Sequence, residues 1–268
     1  MSFLVNPYLY APTCADADGA AFLSAAGITD PTITSAICTL VTSMKANGTW
    51  AKCSAIYPMV GGTAATHKFN LKNPLDTNAA FRLNFVGGWT HSANGALPNG
   101  TNAYADSFLN ASTLLTKTNT HLSVYLRTDL NIGLFPVDIG SSTDVNLGTN
   151  NTILITRYTN KSFNAIAQNG SFQPASLDSR GLWNITTNSS TTGVYYRNGT
   201  QYGTSITAQN NFANVSLYIG AVNNNGTPTF YSNKQNAFAS IGSGFSSTEA
   251  AALYTAVQAM QTTLGRQV

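Results

Sequence analysis

Charge is scarce in this chain. Lys, Arg, Asp and Glu make up 9% of its 268 residues, against about 25% in ordinary globular proteins, and Asn, Thr, Ser and Gly fill the gap. A net charge of +3 from so few ionic groups excludes the dense basic stripe that displaces counterions from nucleic acid. Glutamate is nearly absent, with Glu249 the single example. Glycoside hydrolysis requires two carboxylates flanking one bond. The aspartates at 16, 18, 30, 76, 106, 129, 138, 144 and 178 offer no i, i+2 pair on a strand; Asp16 and Asp18 have that spacing but fall in a helical stretch. No Gly-x-Ser-x-Gly elbow presents a nucleophile, since Gly242-Ser243-Gly244 lacks the pattern. The expectation is a protein that is not an enzyme.

Metal ligands are equally thin. Cys14, Cys38 and Cys53 have no CxxC spacing and no histidine at ligand spacing, which argues against zinc and for small buried hydrophobes on helices. Asp138, Asp144 and Asp178 are too scattered for a calcium cage. No metal and no cofactor are expected. Long apolar runs are missing too: Pro7 and Pro12 interrupt the first residues, so neither a signal peptide nor membrane insertion is expected. Apolar residues still form 43% of the chain, enough for a packed core without disulfides.

What is present falls into two parts, with the boundary at 65/66. Residues 1–65 read as a tether and a helical annex. Asp16 or Asp18 caps a short helix that stops at Gly27. Asp30-Pro31 supplies an N-cap with proline at the first helical position. Ile33, Ala36, Ile37, Leu40, Val41 and Met44 then make a stripe of helical period. A third helix is expected over Trp50 to Tyr57, stopped by Pro58. Residues 66–268 read as a sandwich. Phe81, Leu83 and Phe85 alternate with polar residues, as do Leu122, Val124 and Leu126, a period of two that suits an antiparallel sheet with one solvated face. Further strands are expected over 104–108, 136–139, 153–158, 162–168 and 182–186, with Gly, Asn and Ser between them.

Three pieces near the C-terminus sharpen this. Gly193 to Gly203 reads as a hairpin turning at Asn198-Gly199. Val215 to Gly220 puts Val215, Leu217 and Ile219 on one face. Phe238 to Gly242 leads into Phe245, the capping box of Ser246 and Glu249, and a helix whose stripe is Ala250, Leu253, Val257, Met260 and Leu264. Together they resemble the concanavalin A-like (laminin G, pentraxin-type) jelly-roll sandwich. The expected fold class is therefore mainly β: that sandwich, with a small helical N-terminal annex and a C-terminal helix.

The stretches beginning Ala25-Ala26-Gly27-Ile28-Thr29-Asp30, Ala79-Ala80-Phe81-Arg82-Leu83-Asn84 and Phe238-Ala239-Ser240-Ile241-Gly242 resemble structural proteins of tailed phages and environmental viruses, a likeness running from about residue 22 to 268. It implies a non-enzymatic virion protein, made in the host cytoplasm: a fibre, a capsid decoration or an adhesion module, with other copies or capsid and tail proteins as partners. The alternative is a lectin that binds host surface glycans; glycan hydrolysis is a distant third.

For glycan binding the candidates are Trp89, His91, Asn102, Tyr104 and Asp106, because sugars take an aromatic ring against their C–H face and amide, carboxylate and hydroxyl groups around it. The bland alternative makes Trp89 a core anchor and the Asn-Gly pairs turn chemistry. For assembly, Phe3, Leu4, Val5, Tyr8 and Tyr10 form an aromatic segment suited to a neighbour's sheet edge or groove.

Overall fold

The structure, a computed structural model, describes residues 13–268 except 132, 134, 145, 148, 169–172, 189–191 and 207–209. The expected tether, Phe3 to Tyr10, lies outside the described residues. The chain opens with α1 (Ala17–Ala25), α2 (Pro31–Ala46), α3 (Thr49–Lys52), β1 (Cys53–Tyr57) and α4 (Ala64–His67). It continues through β2 (Asn84–Val86), β3 (Trp89–Ser92), β4 (Gly95–Pro98), β5 (Tyr104–Asn110), α5 (Ala111–Leu114), β6 (Thr120–Leu126), β7 (Ile139–Ser142), β8 (Asn151–Tyr158) and β9 (Lys161–Gln168). Last come β10 (Gly181–Thr187), β11 (Thr192–Arg197), β12 (Thr200–Ile206), β13 (Ser216–Ile219), β14 (Val222–Asn224), β15 (Thr227–Thr229), β16 (Asn236–Gly242) and α6 (Ser247–Thr263).

Among the described residues the strands form two sheets. The first has the order β12-β11-β10-β6-β16-β4-β3, with β1 also paired to β16. The second has the order β15-β14-β7-β13-β5-β2, extended by β8 on β7 and β9 on β8. Leu122, Val124, Leu126, Ile185, Ala239 and Ile241 of the first sheet meet Leu109, Leu154, Leu217 and Ile219 of the second in a shared core. Fully burying each leucine, isoleucine or valine among them stabilises the fold by roughly 1.5–3 kcal/mol. The protein is a mainly β sandwich with small helical parts.

The helices make a third layer. Leu40, Val41 and Met44 of α2 and Leu253, Val257 and Met260 of α6 bury against Tyr125, Leu182 and Phe238 on the outer face of the first sheet. The starts of these helices are capped as their residues require: Asp30 Oδ1 accepts from Ile33 N–H at 2.9 Å. Ser246 and Glu249 form the reciprocal capping box. Asn198 and Gly199 take positive φ of 50° and 73° between β11 and β12, as the hairpin demands.

Three expectations need correction. Cys53–Tyr57 is not helical: it is a strand running antiparallel to Ala239–Gly242 of β16. Buried apolar runs of five residues suit strand or helix equally, and the partner that decides lies at the far end of the chain. The centre of the first sheet has no solvated face, since β6 is buried at all seven positions. Its polar positions are met from within: His121 Nε2 lies 3.1 Å from Ser240 Oγ, and Asn184 Nδ2 donates to Ser123 Oγ at 2.6 Å. Finally, the cysteines do not form one class. Cys14 and Cys38 are joined in a disulfide that ties the segment before α1 to α2, and Cys53 alone is a free buried thiol.

Candidate functional site

The site is built by strand register. Across the second sheet Phe85, Ala105, Ile219 and Ile139 lie opposite one another; the last three belong to the inter-sheet core and Phe85 packs against it. The adjacent row, Asn84, Asp106, Tyr218 and Gly140, must therefore face outward, because successive side chains of a strand point to opposite faces. Tyr104, two residues before Asp106, shares that face. Its ring stacks on Tyr218 with centroids 4.6 Å apart and planes 24° apart.

The outer face is roofed over one half and open over the other. Beyond Gly140 it is covered by Val137, Ile153, Ile155, Phe163 and Val222. A methyl group added at Gly140 would lie 2.9 Å from Val137 Cγ1 and 3.1 Å from Ile153 Cγ1, so only glycine lets that roof close. On β2 and β5 the surface is open, with Asn84 exposed and Tyr104 and Asp106 half-buried, while Tyr218 of β13 is buried, 7% exposed. Asp106 Oδ1 accepts from Phe108 N–H at 2.8 Å, which fixes the carboxylate beside the ring pair. Burial, then Asp106 and Tyr104, push the Tyr218 phenol up to about 12, so it stays neutral. Ser107 Oγ donates to Leu217 O at 2.7 Å beneath the platform, locking β5 to β13. The platform thus offers the half-buried Tyr104 ring, backed by buried Tyr218, with one carboxylate and one amide on a rigid sheet.

The five residues singled out in the sequence divide. Tyr104 and Asp106 belong to this platform. Trp89, half-buried on β3, donates its indole N–H to Val86 O at 3.1 Å and Tyr104 O at 3.2 Å and sets its ring against Phe85: it plugs the end of the inter-sheet core. Asn102 Oδ1 accepts from Gly88 N–H at 3.0 Å and Asn99 Nδ2 at 2.8 Å, closing a loop. Trp89 and His91 stand on β3. Two platform members, Asn84 and Tyr218, went unnoticed there; the only signal was that each falls on the polar phase of an alternating strand.

His91 packs on Phe85 at 4.6 Å, and its Nδ1 lies 2.9 Å from Nδ1 of buried His67. Gly62 N–H donates to His67 Nε2 at 3.2 Å, so His67 carries its proton on Nδ1 and donates it to His91. Burial, then His91 and Arg266, lower the His67 pKa to about 3, and burial lowers that of His91. His121, whose Nδ1 donates to Ser243 O at 2.6 Å, is brought by burial to about 4. Each folded-state value lies below the unfolded value of about 6.5. The unfolded chain therefore binds more protons in acid, and stability present above pH 6.5 is lost as pH falls toward 4. For His121 alone the loss is on the order of 3 kcal/mol. Chemical denaturation between pH 7 and 4.5 should show it, with a shallower slope in His121→Gln. An imidazole resonance of His121 that titrates near pH 6.5 in the native protein would refute this.

A cleft of about 490 Å³ opens elsewhere, between the start of α2 and the C-terminus, lined by Asp30, Ile33, Gly62, Thr66, Leu264 and Arg266 among others. The Arg266 guanidinium has its N–H groups on Gln261 Oε1 and on four backbone carbonyls, so it offers the cleft no donor. No three His, Cys, Asp or Glu side chains converge on a metal position among the described residues.

This is a jelly-roll β-sandwich by architecture, and comparison with known proteins agrees at that level. No family model matches the chain, nor does any curated protein. Among solved structures, the binding domain of botulinum neurotoxin serotype D superposes with a TM-score of 0.51 at 9% identity, covering 77% of this chain and 52% of that one. Trypanosoma rangeli sialidase, in complex with the inhibitor DANA, gives a TM-score of 0.50 at 14% identity, covering 81% of this chain and 38% of that one. A NanB sialidase from Streptococcus pneumoniae gives 0.45 at 16% identity, with 62% and 27% covered. The chain thus spans about a quarter to a half of these structures, and the likeness is one of fold.

Proposed function

We propose that this chain is a non-catalytic glycan-binding module whose site is the open half of the second sheet's outer face. The observation that carries the reading is the stacked Tyr104–Tyr218 pair in register with Asp106 and Asn84, a ring platform edged by hydrogen-bonding groups. The neurotoxin neighbour is itself a binding domain.

The carboxylates argue against hydrolysis. Asp16 and Asp18 share Lys45, Asp76 takes Lys68 and Arg82, Asp129 takes Arg157, Asp138 takes Lys234, Asp178 takes Arg180 and Arg197, and Glu249 takes Lys52. Asp30 caps α2, Asp144 Oδ1 accepts from Asn146 N–H, and Asp106 holds Phe108 N–H. A general acid needs a raised pKa. Here a hydrogen bond from Lys45 lowers that of Asp16; for Asp129, Asp178 and Glu249 burial pushes upward, but hydrogen bonds and charge from Arg157, Arg180 and Lys52, together with backbone hydrogen bonds, lower the pKa on balance.

A glycan array probed with the isolated protein tests the reading. Saturable binding should weaken about tenfold in Tyr104→Ala, since a lost stacking contact is worth roughly 1 kcal/mol or more, while the melting temperature holds. Binding that survives Tyr104→Ala unchanged would move the site elsewhere. The setting on a phage particle, as fibre, decoration or adhesion module, rests on the sequence resemblance of residues 22 to 268. Mass spectrometry of purified particles tests it: absence of the chain from every particle fraction refutes it.

A further inference from the structure

The glycan-binding reading, on which this inference rests, leaves open what kind of sugar the platform takes. Charge decides between classes, and the open half of the face carries one charged group in its central row. Across Asn84, Asp106 and Tyr218 only Asp106 is ionic. Among the described residues no Lys, Arg or His comes within ion-pair distance of it; the ion pairs all involve other acids. The cation on the approach to β2, Arg82, lies over the Phe108 ring at 5.9 Å. Its Nε donates to Asn78 Oδ1 at 3.1 Å and its NH1 lies 3.5 Å from Asp76. On the roofed half, Lys234 is fully buried against Asp138. A sugar laid against the half-buried Tyr104 ring therefore meets a carboxylate with one oxygen already held by Phe108 N–H and no counter-ion.

We infer that the platform sorts glycans by charge: it accepts neutral sugars, prefers those carrying a protonated amine beside Asp106, and rejects those carrying a carboxylate, sialic acid included. A hydroxyl or ammonium group donates to the carboxylate, whereas an acidic sugar brings a like charge to a half-buried anion and leaves both without a partner. Asp106 is thus the specificity-determining residue, and the Tyr104 ring supplies the affinity common to all ligands.

The test is calorimetric titration of the full chain with two matched pairs: an N-acetylglucosamine oligomer against the glucosamine oligomer of equal length, and lactose against sialyllactose. At low salt the glucosamine oligomer should bind about fivefold tighter than its acetylated counterpart, an exposed-to-half-buried ion pair's worth, and the advantage should shrink as salt rises. Sialyllactose should bind at least about tenfold more weakly than lactose. Asp106→Asn keeps an acceptor for Phe108 N–H, so the fold is retained, and both ratios should move toward one. Sialyllactose binding as well as lactose, or ratios that Asp106→Asn leaves unchanged, would overturn the charge rule and leave the glycan-binding reading standing. Binding of none of the four sugars would overturn both.

Discussion

Arg266→Ala lowers the unfolding free energy by about 3–5 kcal/mol, the size expected when a buried, fully hydrogen-bonded cation is removed from its acceptors. Arg266 is 1% exposed. Its Nε donates to Gln261 Oε1 at 2.6 Å, NH1 to Met59 O at 2.8 Å and Ala93 O at 3.1 Å, and NH2 to Pro58 O at 2.7 Å and Ala237 O at 2.9 Å. Five donors meet five oxygens, and none is a carboxylate. Those oxygens belong to the end of β1, the β3–β4 turn, β16 and α6, so one side chain bolts the C-terminus to three strands. Burial, with Arg127 adding to it, lowers the Arg266 pKa to about 9, which keeps it cationic at neutral pH. Alanine would strand the carbonyls, relieved only by water entering from the adjacent cleft. Urea denaturation is the measurement, with a drop in melting temperature on the order of 10 °C as its thermal counterpart. Arg266→Lys, with three donors and no planar fork, should recover part of the loss and not all of it. A loss under 1 kcal/mol for Arg266→Ala would show that the guanidinium network contributes little.

That network was invisible in the sequence, whereas much else was legible. Ser246 with Glu249, Asp30 with Pro31 and Asn198 with Gly199 each encode a structure that closes within a few residues, so local chemistry decides it. The α2 stripe and the alternation around Leu122 likewise carry their own period. What failed was whatever a distant partner settles. Cys53–Tyr57 takes its conformation from β16, and the polar phase of β6 is covered by helices from both ends of the chain, with Ser123, Asn184, His121 and Ser240 satisfying one another in place of water. The candidate site shows the same divide. Tyr104 and Asp106 were picked out by residue type, but their companions Asn84 and Tyr218 join them only through register across β2, β5 and β13. Trp89 was picked for the same reason as Tyr104. Its indole hydrogen bonds to two carbonyls, which composition cannot reveal, give it a packing role.

Lys234→Met should destabilise the fold about as much as loss of Arg266, by roughly 3–5 kcal/mol, because it leaves the Asp138 carboxylate buried without its cation. Both side chains are fully buried, with Lys234 Nζ 2.8 Å from Asp138 Oδ2. The same oxygen accepts from Thr156 N–H and Thr156 Oγ1, each at 2.8 Å, and Oδ1 accepts from Ser232 Oγ at 3.0 Å. Burial lowers the Lys234 pKa and Asp138 opposes it, so the ammonium depends on its partner. A double-mutant cycle separates the pair from its surroundings. Asp138→Asn retains an acceptor for Thr156 N–H, and combined with Lys234→Met it removes both charges. The double variant should therefore be more stable than the sum of the two single losses allows, by about 2 kcal/mol. Strict additivity would mean that the two charges do not act as a pair. The consequence reaches the candidate site through the backbone: Gly220 N–H donates to Asp138 O at 2.9 Å, and Ser232 N–H donates to Gly220 O at 2.8 Å. Gly220 follows the end of β13, two residues after Tyr218. The buried pair thus anchors the strand that presents the stacked ring, and Lys234→Met should weaken glycan binding even where the chain remains folded, whereas Arg266→Ala, on the far side of the first sheet, should not.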